Sequence, residues 1–187
     1  MRRLAVLAVA LVALVVVAGC GQDSESIKTT AETEGLYLDI NGLKYQIEMS
    51  RYMNVNDVED SEYLKGLPES TGQPSADETW FGVWVRVQNV SDEARRAATT
   101  WEIHDTQEKV YRPIPIDTNV NVFAFEPGKL VPGNTILPLS SSAAGQGPIQ
   151  GSLLLFKLKT DSLQNRPLEL RFSNGGGSQT GTYDLDV

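Results

Sequence analysis

The sequence predicts an all-β protein, an antiparallel β-sandwich with one short helix, and three observations lead there. Apolar residues recur at every second position in about seven short stretches, the period of half-buried strands. Gly, Pro, Asn and Ser gather between those stretches. A single segment carries both a helix start and a helix stop. A segment of another kind comes first: Met1, Arg2 and Arg3 precede fifteen residues, Leu4 to Ala18, that are all Leu, Ala or Val. A charged start and an apolar run of this length match a secretory signal. The run is short for a membrane span, which needs about 20 apolar residues.

Val17, Ala18, Gly19 and Cys20 follow. They resemble the lipobox of bacterial lipoproteins, in which the cysteine sulfur receives a lipid and the chain is cut just before it. The resemblance implies that residues 1–19 are a signal peptide and that Cys20 becomes the mature N-terminus. Its lipid would then hold the chain on the extracytoplasmic face of the cell membrane. Each buried methylene contributes about 0.8 kcal/mol, and stable anchoring takes more than one acyl chain; bacterial lipoproteins, by the same resemblance, carry two or three. A secreted protein with a chance cysteine, or an uncleaved anchor, is the alternative. Arg2 and Arg3 lack the flanking residues of a twin-arginine signal. Because Cys20 is the one cysteine, no disulfide, cysteine-based metal site or cysteine nucleophile is expected.

Removing 19 of 187 residues leaves 168, one domain of ordinary size. The cut takes Arg2 and Arg3 from 16 basic residues and leaves all 24 acidic ones, a net charge of −10. Such a body is repelled by nucleic acid and by anionic headgroups. Its expected partners are the membrane, reached through the lipid on Cys20, and another protein of the cell envelope. From Gly21 to Glu34 the chain reads GQDSESIKTTAETE, too poor in apolar residues to pack. It reads as a flexible tether over residues 20–34, spanning roughly 20 Å as a coil and at most about 50 Å.

The sandwich is expected over 35–187. Leu36, Leu38 and Ile40 alternate with Tyr37 and Asp39; Asn41-Gly42 supplies a hairpin turn; Leu43, Tyr45, Ile47 and Met49 alternate with polar residues. Asp57 caps a helix predicted over Val58–Lys65, with Gly66 and Pro68 closing it. In TWFGVWVRVQN the core face is Phe81, Val83, Val85 and Val87, and Trp101 and Ile103 mark the next strand. SLLLFKLK, from Ser152, is apolar on both faces as a central strand is. Leu168, Leu170 and Phe172, then Tyr183, Leu185 and Val187, complete the set. Long loops are expected over 67–78, 113–134 and 140–151.

RYMNVNDVEDSEYLKGLP, FGVWVRVQNVSDE and GPIQGSLLLFKLKTDSLQNRPLELRF resemble uncharacterised lipoproteins of actinobacteria. The second and third also resemble a broad group of immunoglobulin-like extracytoplasmic domains of unknown function, where a strand ending in VQN precedes an acidic turn and a Pro-Gly element, here VPGN, leads into a later apolar strand. The resemblance spans Leu43 to Phe172. It implies an immunoglobulin-like sandwich and brings no catalytic motif.

No enzyme activity and no cofactor are expected. The single histidine, His104, shares the polar strand face with Glu102 and Thr106, and no nucleophile elbow or S-x-x-K motif occurs. Asp184 and Asp186 read as solvent-facing acids rather than a glycosidase pair. NGGGS, from Asn174, lacks the lysine of a phosphate loop and reads as a turn. Asn89-Val90-Ser91 fits a glycosylation sequon that a bacterial lipoprotein would not use. Asn54, Asn56, Asp57, Glu59 and Asp60, with Glu62, offer oxygen ligands for calcium, although without the glycine and spacing of an EF-hand. The plainer reading is a solvated helix start whose acids sit at the positive end of the helix dipole. Copper would need Met49, Met53 and His104, and Met49 is expected in the core.

The candidate binding face is the second face of the third strand, where Trp80, Trp84 and Arg86 line up with Gly82 and Gln88. Two arrangements fit. Bare indoles beside an arginine would form an adhesive patch for a protein or a sugar; covered by the DTNVNVFAFEPG loop with Phe123 and Phe125, they would be core. The leading reading is therefore a lipid-anchored binding or accessory module, with a calcium-binding extracytoplasmic protein as the alternative.

Overall fold

The computed structural model describes residues 28–175 and 179–185. Its strands are β1 (Thr30–Ala31), β2 (Tyr37–Ile40), β3 (Leu43–Met53), β4 (Glu78–Asn89), β5 (Arg95–Arg96) and β6 (Thr100–His104), followed by β7 (Val110–Tyr111), β8 (Leu130–Val131), β9 (Thr135–Leu137), β10 (Ser152–Lys159), β11 (Leu168–Ser173) and β12 (Thr180–Leu185). Two short helices, α1 (Val58–Tyr63) and α2 (Ala143–Gln146), complete the regular structure with two 3₁₀ turns. One sheet runs β1-β12-β11-β6-β7; the other runs β10-β4-β3-β2, with β9 paired to the end of β4. Apart from β1, which lies parallel to β12, neighbouring strands are antiparallel.

The alternation seen in the sequence builds the core between these sheets. Leu38, Tyr45, Ile47, Phe81, Val83 and Val85 face Trp101, Ile103, Leu170, Phe172, Tyr183 and Leu185, all buried. Trp101 stacks on Phe172 at 4.6 Å, and Tyr45 tilts against the same ring at 4.7 Å. Two hydroxyls stitch the layers: Tyr183 donates to the Tyr45 carbonyl at 2.7 Å, and Tyr45 accepts from the Ala98 N–H at 2.8 Å. Burial pushes the Tyr45 hydroxyl up to about 12, against a backbone hydrogen bond that acts the other way, and burial raises Tyr183 as well.

Local signals hold where they were strong. Asn41 and Gly42 both have positive φ, 55° and 74°, and join β2 to β3 as a two-residue hairpin. Asp57 caps α1 by accepting from the Glu59 and Asp60 N–H groups, and Gly66 leaves the segment at φ 75°. Asn89 is buried, and its amide donates to the Glu93 and Val131 carbonyls, so it pins β4 to β8 rather than offering a sequon.

Two expectations need correction. Residues 28–34, assigned to the tether, belong to the body: β1 pairs with β12, Ala31 is buried, and Glu34 accepts from the Ser50 hydroxyl and N–H. One parallel pairing of two residues is too short to leave a period in the sequence. Met49 does not reach the core. The register of β3 on β4 slips between Ile47 and Met49, a bulge that turns Met49 outward to 40% exposure and brings Ser50 inward. Residues 1–27, and with them the signal peptide and Cys20, lie outside the described residues.

A candidate binding cleft

The face carrying Trp80, Trp84 and Arg86 is not an open patch. Trp84 is fully buried and Trp80 retains 1% exposure. A Cβ on Gly82 would lie 2.6 Å from the Trp84 ring, so the indole folds over bare backbone and the glycine is required there. Tyr63 of α1 meets Trp84 edge-on at 5.2 Å and meets Phe123 at 4.9 Å. Met53, Leu153 and Leu155 close the same cluster. The Lys157 ammonium sits 5.1 Å over Trp80 and donates to the Thr71 carbonyl at 2.6 Å. Arg86 pairs with Glu48 at 2.8 Å. The covering arrangement is thus the observed one, with α1 as well as the Phe123 loop supplying the cover.

The acidic stretch is likewise committed within the fold. Asp60 is buried and accepts from the Arg51 guanidinium at 2.5 and 3.1 Å and from the Asn54 N–H at 2.7 Å. Burial alone would raise its pKa; the hydrogen bonds and charge of Arg51 outweigh that and hold the carboxyl below the usual range. Asp57 caps the helix, the Asn54 side chain accepts from the Asn56 N–H, and Glu59 accepts from the Tyr63 hydroxyl. Among the described residues no group of three or more His, Cys, Asp or Glu side chains stands where it could hold a metal ion. His104 joins a cross-strand ladder, 3.2 Å from Glu102 on one side and 3.4 Å from Arg171 on the other.

An apolar cleft opens elsewhere, on the sandwich edge where β10 faces β6 and β7. It begins with Arg112-Pro113-Ile114-Pro115-Ile116, which runs along the free edge of β10. The prolines fix φ and lack N–H groups, and the Ile114 N–H between them donates to the Leu155 carbonyl at 2.7 Å. Beyond it, buried Asn121 donates to the carbonyls of Tyr63 and Lys65 and accepts from the Phe123 N–H, tying the loop to the end of α1. Phe125 donates its N–H to Leu153 and meets Trp101 edge-on at 5.2 Å. The chain is held on both sides but does not fill the space between.

What remains is a cavity of about 480 Å³, within the size range of small-molecule sites. It is lined by the apolar residues Trp101, Ile114, Ile116, Phe125, Pro127, Leu153 and Leu154 and by the polar residues Thr99, Thr100, Thr118 and Glu126. Arg112, exposed at the mouth, pairs with Glu102 at 2.8 Å and connects the rim to the His104 ladder. Sequence reasoning missed this site because its residues come from four separate segments. The alternation in RPIPI, which puts Ile114 and Ile116 on one side of an extended stretch, was the available signal.

No protein-family model matches the chain, and no curated protein matches it. Among solved structures, the yjhA protein from Bacillus subtilis aligns with a TM-score of 0.50 at 9% identity, over 83% of this chain and 99% of that one. An uncharacterized β-sandwich protein from Clostridium difficile gives 0.47 at 11% identity, over 86% and 98%. A candidate lipoprotein of Bacillus subtilis gives 0.47 at 11% identity, over 81% of this chain and 39% of that one. Similarity at these identities is similarity of fold alone.

Proposed function

We propose that the protein is a non-catalytic binding module, held on the extracytoplasmic face of a bacterial membrane by a lipid on Cys20, that receives an apolar ligand or side chain in the cleft between β6 and β10. The anchoring half rests on the apolar leader and the small residues ending at Cys20. No helix among the described residues is long and apolar enough to cross a membrane. The binding half rests on one observation: a preformed cavity of about 480 Å³ whose walls are stiffened by prolines.

Titration with the fluorescent probe anilinonaphthalene sulfonate tests the cleft. The expected result is saturable, one-to-one binding that Ile116→Lys abolishes and that Val110→Lys, outside the cleft, leaves intact. Equal binding by both variants would remove the cleft from the account.

A further inference from the structure

We infer that the end of the sandwich carrying the Asn41-Gly42 turn, Val90–Arg96 and Leu130 rests on the membrane surface, and that α1 and the Asp105–Lys109 turn point away from it. The inference rests on the lipid-anchor reading and adds an orientation to it.

Strand directions define the two ends. β1 enters beside the β2–β3 turn, since the Lys28 carbonyl accepts from the Asp39 N–H, and Thr30 pairs with Thr182 near the start of β12. At the same end β4 finishes at Asn89, β6 begins at Thr100 and β5 pairs with β8. The opposite end holds Met53, α1, the start of β4 and the end of β10.

Chain length then limits the orientation. Eight peptide steps separate Cys20 from Lys28, a reach of at most about 28 Å. From Lys44, which pairs with Asp39, to Met53 β3 runs nine further residues, about 30 Å, and α1 lies beyond. An anchor at residue 20 therefore cannot lay the α1 end on the bilayer, because the link would have to run back along the whole body.

Charge favours the same end. The near end is almost balanced, with Lys28, Arg95, Arg96 and Lys129 against Asp92, Glu93 and Glu126, and it exposes Val90 at 54% and Leu130 at 51%. Arg96 and Leu130 are register partners, so a cation and an apolar side chain share one small ladder. The far end is net acidic: ten carboxylates, seven of them between Asp57 and Glu78 and the others Asp105, Glu108 and Asp161, stand against seven cations, Lys65 and Lys109 among them. An anionic leaflet repels that end and accepts the other, where cations and half-exposed aliphatic groups suit the headgroup layer.

Hydrogen exchange on the mature chain tests the orientation, with the Cys20 thiol coupled to a maleimide lipid in vesicles of phosphatidylcholine and phosphatidylglycerol. The expected result is slowed exchange, relative to the uncoupled chain, at residues 41–42, 90–96 and 129–131, and none at 56–63 or 105–109. Arg96→Glu with Lys28→Glu is expected to reduce that protection at least twofold. Protection at the far end, or at neither, overturns the inference. The maleimide link makes this outcome independent of cellular lipidation, which incorporation of labelled palmitate at Cys20 tests separately.

Discussion

Arg51 holds Asp60 in a two-pronged ion pair, at 2.5 and 3.1 Å, while its guanidinium lies 5.3 Å over the ring of Trp84. One side chain thus links β3, the first turn of α1 and the indole that α1 covers. It explains why the acidic stretch sits where it does: Asp60 completes a buried contact that positions the helix on the tryptophan face.

Replacing Asp60 by Ala leaves Arg51 over an apolar ring without its partner. Breaking this half-buried pair, which also leaves the Asn54 N–H without its acceptor, costs about 2 kcal/mol. Chemical denaturation is expected to show a loss of that size, and Asp60→Asn an intermediate one.

The same pair sets an acid limit. Its folded-state pKa is depressed, so its contribution is full above the ordinary carboxylate value, near pH 4, and is lost as the pH falls through the lower folded value. Stability measured from pH 6 downward is expected to drop less steeply in Asp60→Asn than in the unaltered chain.

Trp84→Ala is expected to destabilise by about 4 kcal/mol, as large-to-small changes of buried aromatic residues do. A thermal melt reads this directly. A Trp84→Ala chain that kept its stability would mean that the indole is surface rather than core.

Calcium at millimolar concentration is expected to leave the melting temperature unchanged, because Asn54, Asp57, Glu59 and Asp60 already accept hydrogen bonds within the fold. A rise with added calcium, absent with magnesium, would restore a cation site.

The bulge in β3 separates two methyl-rich positions of similar sequence context. Ile47→Ala is expected to cost about 3 kcal/mol, and Met49→Lys less than about 0.5 kcal/mol. Equal costs would place Met49 back in the core.

What could be read in the sequence was local. The Asn41-Gly42 hairpin, the Asp57 cap, the core faces of β4, β6 and β11 and the double-sided burial of β10 follow from periods of two and from turn chemistry within ten residues. What could not be read depends on partners far along the chain. β1 is buried only because β12 lies beside it, more than 150 residues later. Met49 turns outward through a slip in pairing with β4, and Trp84 is covered by Tyr63 and Phe123, from segments with no signal of their destination. The cleft is the extreme case, since Trp101, Ile116 and Leu153 have nothing in common before the chain folds.

Mass spectrometry of the N-terminal peptide from membrane-extracted protein tests whether the β-sandwich is fastened to the membrane through Cys20. The expected peptide begins at Cys20 and carries the added mass of a sulfur-linked diacylglycerol. An unmodified Cys20, with residues 1–19 still attached or with the protein free in the medium, would contradict it.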